Sequence, residues 1–155
     1  MRGYRYLAVA CSLVLILIAP APRLLGADVA ISPARAQVRA EQADWAHARR
    51  LDIILSEFQF APSEIAVDVG APYVLRLENK GWFRHDFTAP AFFRTVAFGP
   101  GQSASEAQRS GGSFSLAPGE VQEIEFVPLQ AGKYALECTK PLHGLFGMSG
   151  DIIVR

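Results

Sequence analysis

A short stretch near the end of the sequence holds three side chains that bind soft metal ions. Cys138, His143 and Met148 follow one another with Cys-x4-His-x4-Met spacing, and His85 supplies a second imidazole. Thiolate and thioether ligands favour Cu(I), whereas imidazoles suit both oxidation states of copper. A trigonal His2Cys site with a long axial Met is an electron-transfer arrangement. These four residues are therefore the predicted metal site, with one copper ion as the predicted occupant.

Each of these residues also has a purely structural interpretation. Cys138 could be a buried, inert thiol, and His143 a residue of a surface loop. Met148 could fill the core, and His85 could be a partly buried histidine. The sequence has only three histidines, however, and beyond residue 36 it has one cysteine and one methionine. A metal site explains their shared pattern best, while the third histidine, His47, is expected to be an exposed surface residue.

The elements that must position these residues are short strands. Apolar and polar residues alternate in several runs: residues 65–69, 75–78, 123–126, 134–138 and 151–154. Turn sequences separate them, such as Gly-Ala-Pro at 70–72 and Asn-Lys-Gly at 79–81. This period-two pattern predicts an all-β protein, a small antiparallel β-sandwich. The Gly/Ser-rich residues 99–113 are predicted to form a mobile surface excursion.

The beginning of the chain has the composition of a secretion signal. Arg2 and Arg5 precede an uncharged apolar run at residues 7–19. At about 1.5 Å per residue this run spans about 20 Å, short of the roughly 30 Å hydrocarbon core of a bilayer. A signal peptide fits better than a membrane span, with a retained anchor as the alternative. Cleavage is expected after Ala27 or Ala36, and the protein is expected in the periplasm.

Length and charge bound the remaining possibilities. The 155 residues amount to about one domain. We divide them into a signal segment or leader at 1–36, a short helical or loose leader at 37–50, and one domain at 51–155. The 15 basic and 15 acidic residues argue against a nucleic-acid binder. Cleavage would leave Cys138 as the lone thiol in an oxidising compartment, where it needs burial or a role.

The final strand pair carries a recognisable pattern. Gly132, Tyr134 and Cys138 form a Gly-x-Tyr-x3-Cys run, and residues 147–150 read Gly-Met-Ser-Gly. With these motifs the chain resembles the cupredoxins, the small blue copper proteins that include plastocyanin, azurin, auracyanin and rusticyanin. The resemblance covers roughly residues 58–155. Its first half is also similar to the cupredoxin-like domain of periplasmic iron-uptake proteins.

The resemblance implies a fold, a cofactor and a set of ligands. The implied fold is a Greek-key antiparallel β-sandwich, and the implied cofactor is one type 1 copper ion. His85, Cys138 and His143 would be the strong ligands, and Met148 the axial one. The implied function is the transport of single electrons by Cu(II)/Cu(I) cycling, without enzymatic activity.

Two features depart from the best-known blue copper proteins. Asp86 follows the first histidine, where plastocyanin and azurin have asparagine, and the stretch at residues 88–101 is unusual. The family's fold would bring Asp86 close to Thr139. The carboxylate could then accept hydrogen bonds from Thr139 and connect the two ligand segments. The alternative is a solvated aspartate in a turn.

Other function classes fit the sequence less well. Copper nitrite reductases and multicopper oxidases need further metal centres, typically built from His-x-His pairs, and the sequence has no such pair. Copper delivery commonly needs exposed methionines or histidines, of which few are present. A periplasmic copper-trafficking or copper-resistance protein nevertheless remains the alternative, and a copper-free binding module is a further one.

The expected partners are redox proteins such as c-type cytochromes or a terminal oxidase or reductase. His143 should be the electron port, because the residues around it in the sequence are small or apolar: Pro141, Leu142, Gly144, Leu145 and Phe146. Electron-transfer contacts of this kind are small and short-lived. We expect no nucleic-acid partner, no stable membrane insertion after processing, and a monomer.

Overall fold

The computed structural model describes residues 32–100 and 110–155. The helical elements in these ranges are α1 (Pro33–Gln42), a 3₁₀ turn (Trp45–His47) and α2 (Pro90–Phe93). The strands there are β1 (Arg49–Ser56), β2 (Gln59–Ala61), β3 (Glu64–Val67), β4 (Tyr73–Asn79), β5 (His85–Thr88), β6 (Val96–Phe98), β7 (Ser113–Leu116), β8 (Val121–Pro128), β9 (Gly132–Glu137) and β10 (Ser149–Val154). Most of the predicted signal segment, and residues 101–109 of the predicted mobile excursion, lie outside the described residues.

The ten strands form two five-stranded sheets within the described part of the chain. Their orders are β2-β1-β4-β8-β6 and β3-β10-β9-β5-β7. The predicted β-sandwich is confirmed, but the sheets are mixed and not wholly antiparallel, because β1 pairs with β4 and β3 with β10 in parallel. The cause is a crossover: after the β1–β2 hairpin the chain places β3 in the opposite sheet and then returns as β4.

The core lies between the two sheets. The core is formed by the side chains that alternate along each strand. In β4, for example, every second residue from Tyr73 to Asn79 is buried. The largest buried side chains come from both sheets, from α2 and from the loop before β10: Phe87, Phe92, Phe114, Phe126, Ile53, Leu55, Leu77, Leu116, Ile124, Leu136, Met148 and Ile152. Burying each such side chain contributes about 1.5–3 kcal/mol. The two sheets are therefore held together mainly by aliphatic and aromatic contacts.

The unusual stretch at residues 88–101 contributes to this core. Its short helix α2 begins at Pro90, whose fixed φ suits a first helical position. Phe92 packs edge-on against Phe126 at 5.3 Å between ring centroids, and Phe93 against Phe114 at 5.2 Å. The aromatic residues of this stretch are therefore explained by their packing in the core.

The N-terminal described residues lie against the outer strand β6. Ser32 caps α1, because its hydroxyl accepts the Arg35 N–H at 3.3 Å, and the helix has no buried residue. The Trp45 indole donates to the Ala40 carbonyl at 2.9 Å, which fastens the 3₁₀ turn to the helix. His47 is exposed, as predicted, with 84% of its side chain accessible. Within residues 32–100 and 110–155, no helix is long and apolar enough to cross a membrane.

Candidate metal centre

Neighbouring strands bring the predicted ligand residues together at one end of the second sheet, where β5 begins and β9 ends. His85 is the first residue of β5, and Cys138 directly follows β9. Strand β9 lies between β5 and β10, with Glu137 opposite both Thr88 and Ser149. The loop at residues 138–148 joins β9 to β10. This register explains why a ligand from β5 and the ligands of one distant loop meet.

The loop is closed by its own backbone. The Cys138 N–H donates to the Met148 carbonyl at 3.1 Å, and the Met148 N–H donates to the His143 carbonyl at 2.9 Å. Gly147 has φ +95°, a conformation that side-chain-bearing residues rarely adopt, so glycine is needed there. Leu142 also lies in the left-handed region, at φ 69°, just before His143. Such local strain is often found at functional sites.

Two ring nitrogens and one sulfur converge where this loop meets the start of β5. His85 Nδ1 lies 3.2 Å from His143 Nδ1, and Cys138 Sγ lies 3.5 Å from the same atom. Ligand atoms of the three residues all lie within 4.8 Å of one another. Metal bonds of about 2.0–2.3 Å, as nitrogen and sulfur make to zinc, span such gaps at angles of about 100–110°. The donor atoms therefore fit one first-row transition ion.

The four predicted residues differ in burial. His85, Cys138 and Met148 are buried, and Met148 is completely inaccessible. His143 is half-buried. Met148 ends the ligand loop, and its backbone pairs with those of both Cys138 and His143. The site is thus enclosed except at the ring of His143.

The electrostatic surroundings favour a neutral imidazole at His85. Burial lowers the pKa of His85, and the neighbouring His143 ring lowers it further, although Glu57 and Asp86 act in the opposite direction. A neutral imidazole has one nitrogen with a free lone pair. That lone pair is what a metal ion requires of a histidine ligand.

Asp86 connects the two ligand segments, as predicted. The Thr139 hydroxyl donates to Asp86 Oδ2 at 2.5 Å, and the backbone N–H of Asp86 donates to Cys138 Sγ at 3.3 Å. Lys140 Nζ lies 3.0 Å from Asp86 Oδ1, an ion pair by distance that lacks the alignment of a good hydrogen bond. Burial alone would raise the pKa of Asp86. Hydrogen bonds from Thr139 and Ser115, together with the positive charge of Lys140, hold that pKa below its ordinary value.

Three residues near the site were not predicted from the sequence. The ring of Phe58 packs edge-on against His143 at 5.3 Å and against Phe146 at 5.0 Å. Asn79 is completely buried and hydrogen-bonds the loop that leads to His85. Glu57 lies 3.7 Å from the Nε2 atom of His85. The sequence marks Asn79 only as a turn residue, and Glu57-Phe58 carries no turn signal at all.

Comparisons with known proteins agree with this geometry. The sequence model of the copper binding proteins, plastocyanin/azurin family, matches residues 49–155. Among curated proteins, none matches the chain. Reduced auracyanin from the photosynthetic bacterium Roseiflexus castenholzii has a similar fold, at 20% identity and a TM-score of 0.50, over 70% of this chain and 98% of that one.

A larger protein shares the fold as well. A multicopper oxidase from Campylobacter jejuni is 14% identical, with a TM-score of 0.52, over 68% of this chain and 30% of that one. At these identities both structures are evidence for the fold alone. The family match covers well over half of the sequence and includes every element from β1 to β10. The chain therefore belongs to the plastocyanin/azurin family of copper-binding proteins, and copper is its cofactor.

Proposed function

We propose that this protein is an electron carrier in which one type 1 copper ion cycles between Cu(II) and Cu(I). His85, Cys138, His143 and Met148 are the residues that would hold the ion. One observation carries the proposal: donor atoms of His85, Cys138 and His143 lie within 4.8 Å of one another, and the loop that carries the last two ends on a buried methionine. This is the donor set of electron-transfer copper sites.

Copper held by these residues supplies a one-electron couple. The part of the protein is to keep the ligands nearly stationary while the charge at the site changes. The backbone pairs of Met148 hold the loop closed, and the Thr139–Asp86 hydrogen bond holds the loop to β5. Burial of the sulfur-bearing side chains limits the access of water, which favours the less charged Cu(I) state.

Burial also distinguishes the proposed carrier from other copper proteins. A delivery protein needs ligands that a partner can reach, but His85, Cys138 and Met148 are all buried. An enzyme needs an open coordination position for its substrate, and four protein ligands would leave none. These features support a carrier that is not itself an enzyme.

The half-buried His143 is the proposed electron port. The apolar side chains around it are exposed: Leu142 by 62%, Leu145 by 81%, Phe146 by 60% and Phe58 by 40%. We call these four residues the port surface. A redox protein such as a c-type cytochrome or a terminal oxidase or reductase would dock there transiently, because an apolar surface can associate without a specific charge pattern.

We place this function in the periplasm. The apolar run at residues 7–19 and its two preceding arginines support export by a signal peptide. Export would leave Cys138 as a lone thiol in an oxidising compartment, and a copper ligand role would protect it from other chemistry.

Visible spectroscopy on the metal-free protein tests the proposal. Added Cu(II) should produce an intense absorption that a reductant removes, since a thiolate bound to Cu(II) absorbs visible light. Cys138→Ser should lose this band, and His47→Ala should keep it, because His47 is exposed and remote from the loop. A band that persists in Cys138→Ser would overturn the ligand assignment.

A further inference from the structure

His85 has two ring nitrogens, and only one of them faces the other proposed ligands. Its Nδ1 atom points to His143 Nδ1, 3.2 Å away. Its Nε2 atom is buried and has no hydrogen-bond partner among the described residues. A neutral imidazole carries one proton, so when Nδ1 binds a metal ion the proton must be on Nε2. The metal-bound ring is then a buried donor that needs an acceptor.

Glu57 offers the acceptor. Its Oε1 atom lies 3.7 Å from His85 Nε2, and a shift of about 0.5–1 Å would bring the pair to hydrogen-bond distance. The same Oε1 atom already accepts the backbone N–H groups of Trp82 at 2.5 Å and Phe83 at 3.3 Å. The carboxylate is therefore held in place on the far side of the ring from the proposed copper position.

The backbone leaves room for this carboxylate beside the ring. Gly81 leaves the necessary space: a Cβ there would lie 2.6 Å from Glu57 Oε1 and 2.8 Å from His85 Nε2. Any larger residue at position 81 would have to displace one member of the pair.

We propose that Glu57 is a positioning residue of the copper site, whose carboxylate accepts the Nε2–H of His85, orients the ring and favours Cu(II) over Cu(I). The proposal rests on the ligand set proposed above. Carboxylates that accept the second N–H of a metal-bound histidine fix its tautomer and increase its basicity. A more basic ligand beside a negative charge stabilises the more highly charged metal ion.

Glu57 could instead serve only to clamp the loop through Trp82 and Phe83. Glu57→Gln separates the two roles, because a glutamine oxygen can accept the same N–H groups but carries no charge. Because the clamp is kept in this variant, a change in the reduction potential reports the charge of Glu57, and the His85 Nε2–H signal reports its hydrogen bond. A positioning carboxylate predicts a higher reduction potential. The ratio of the affinity for Cu(II) to the affinity for Cu(I) should fall at least about threefold, and a tenfold fall would correspond to a rise of 59 mV in the potential.

The experiment combines two measurements on the copper-loaded protein. Redox titration compares the wild type with Glu57→Gln and with Glu41→Gln, which makes the same charge change at an exposed position of α1. Proton–nitrogen NMR of the diamagnetic Cu(I) form follows the Nε2–H of His85, which should exchange faster and shift in Glu57→Ala. We expect a raised potential in Glu57→Gln, and no change in Glu41→Gln.

Three outcomes would contradict the proposal. An unchanged potential in Glu57→Gln, or a His85 Nε2–H in Glu57→Ala that exchanges and resonates as in the wild type, would overturn the positioning role alone. A wild-type protein that binds copper without the intense visible band would overturn the proposed ligand set and, with it, this inference. The wild-type spectrum therefore separates a failure of the site from a failure of the role of Glu57.

Discussion

Asn79 holds the loop that leads to the proposed copper ligand His85, and its replacement should destabilise that loop directly. It ends β4 and is completely buried. Its amide Nδ2 donates to the Phe83 carbonyl at 2.8 Å and to the Leu116 carbonyl at 2.9 Å. Its Oδ1 accepts the Gly81 N–H at 2.9 Å. The side chain therefore fastens the loop before His85 to the end of β7.

The cost of Asn79→Ala follows from these contacts. The substitution removes three hydrogen bonds and leaves one N–H and two carbonyl groups without their partners. A typical hydrogen bond contributes about 1 kcal/mol, and a buried group left unpaired costs about 1–3 kcal/mol. Because water can reach part of the loop, we expect a loss of about 3–4 kcal/mol in the free energy of unfolding. Domains have a total stability of only about 5–15 kcal/mol.

Urea denaturation of the metal-free protein measures this loss without a contribution from copper. The urea concentration at the midpoint of unfolding should fall. The slope of the free energy of unfolding against urea concentration should stay constant, since the surface area exposed on unfolding barely changes. Gln37→Ala is the matched control: it removes an exposed amide whose bond to Glu41 is 3.2 Å long, and should cost less than about 0.5 kcal/mol. A loss below about 1 kcal/mol in Asn79→Ala would refute the reasoning.

Three further predictions concern the copper site. Asp86→Asn should raise the reduction potential by tens of millivolts, because it removes a buried negative charge between the two ligand segments. Two unit charges 4 Å apart interact by about 4 kcal/mol at an effective dielectric of about 20, and less at greater distance, so an unchanged or lower potential would count against this reasoning. Leu145→Lys should slow electron exchange with the physiological partner and leave the visible spectrum unaltered; an unaltered rate would move the port elsewhere. Copper at 100 times its dissociation constant should stabilise the fold by about 2.7 kcal/mol, so equal melting temperatures with and without the metal would contradict binding to the folded state.

The candidate site was predictable because most of it is local. Cys138, His143 and Met148 belong to one loop between adjacent antiparallel strands, so their spacing alone brings them together. The period-two pattern of β4 and β9 likewise reports which side chains face the core. Such patterns depend on the neighbouring residues of one element, which a single sequence contains.

The partners of these elements were not predictable in the same way. The parallel pairing of β1 with β4 depends on a crossover between the sheets, and no local pattern encodes it. Glu57 was missed for a related reason. It reaches His85 only because the two-residue turn between Ser56 and Gln59 lies beside the loop after β4, a juxtaposition that exists only in the folded chain.

The side-chain contacts around the site join segments that are distant in the sequence. Asn79 reaches Leu116, and Asp86 reaches Thr139. Both contacts join protein groups, and they fasten the segments that carry His85 and Cys138 to the rest of the fold. A site whose ligands are already held in place changes little when its charge changes by one unit, and that is the property on which rapid electron exchange depends.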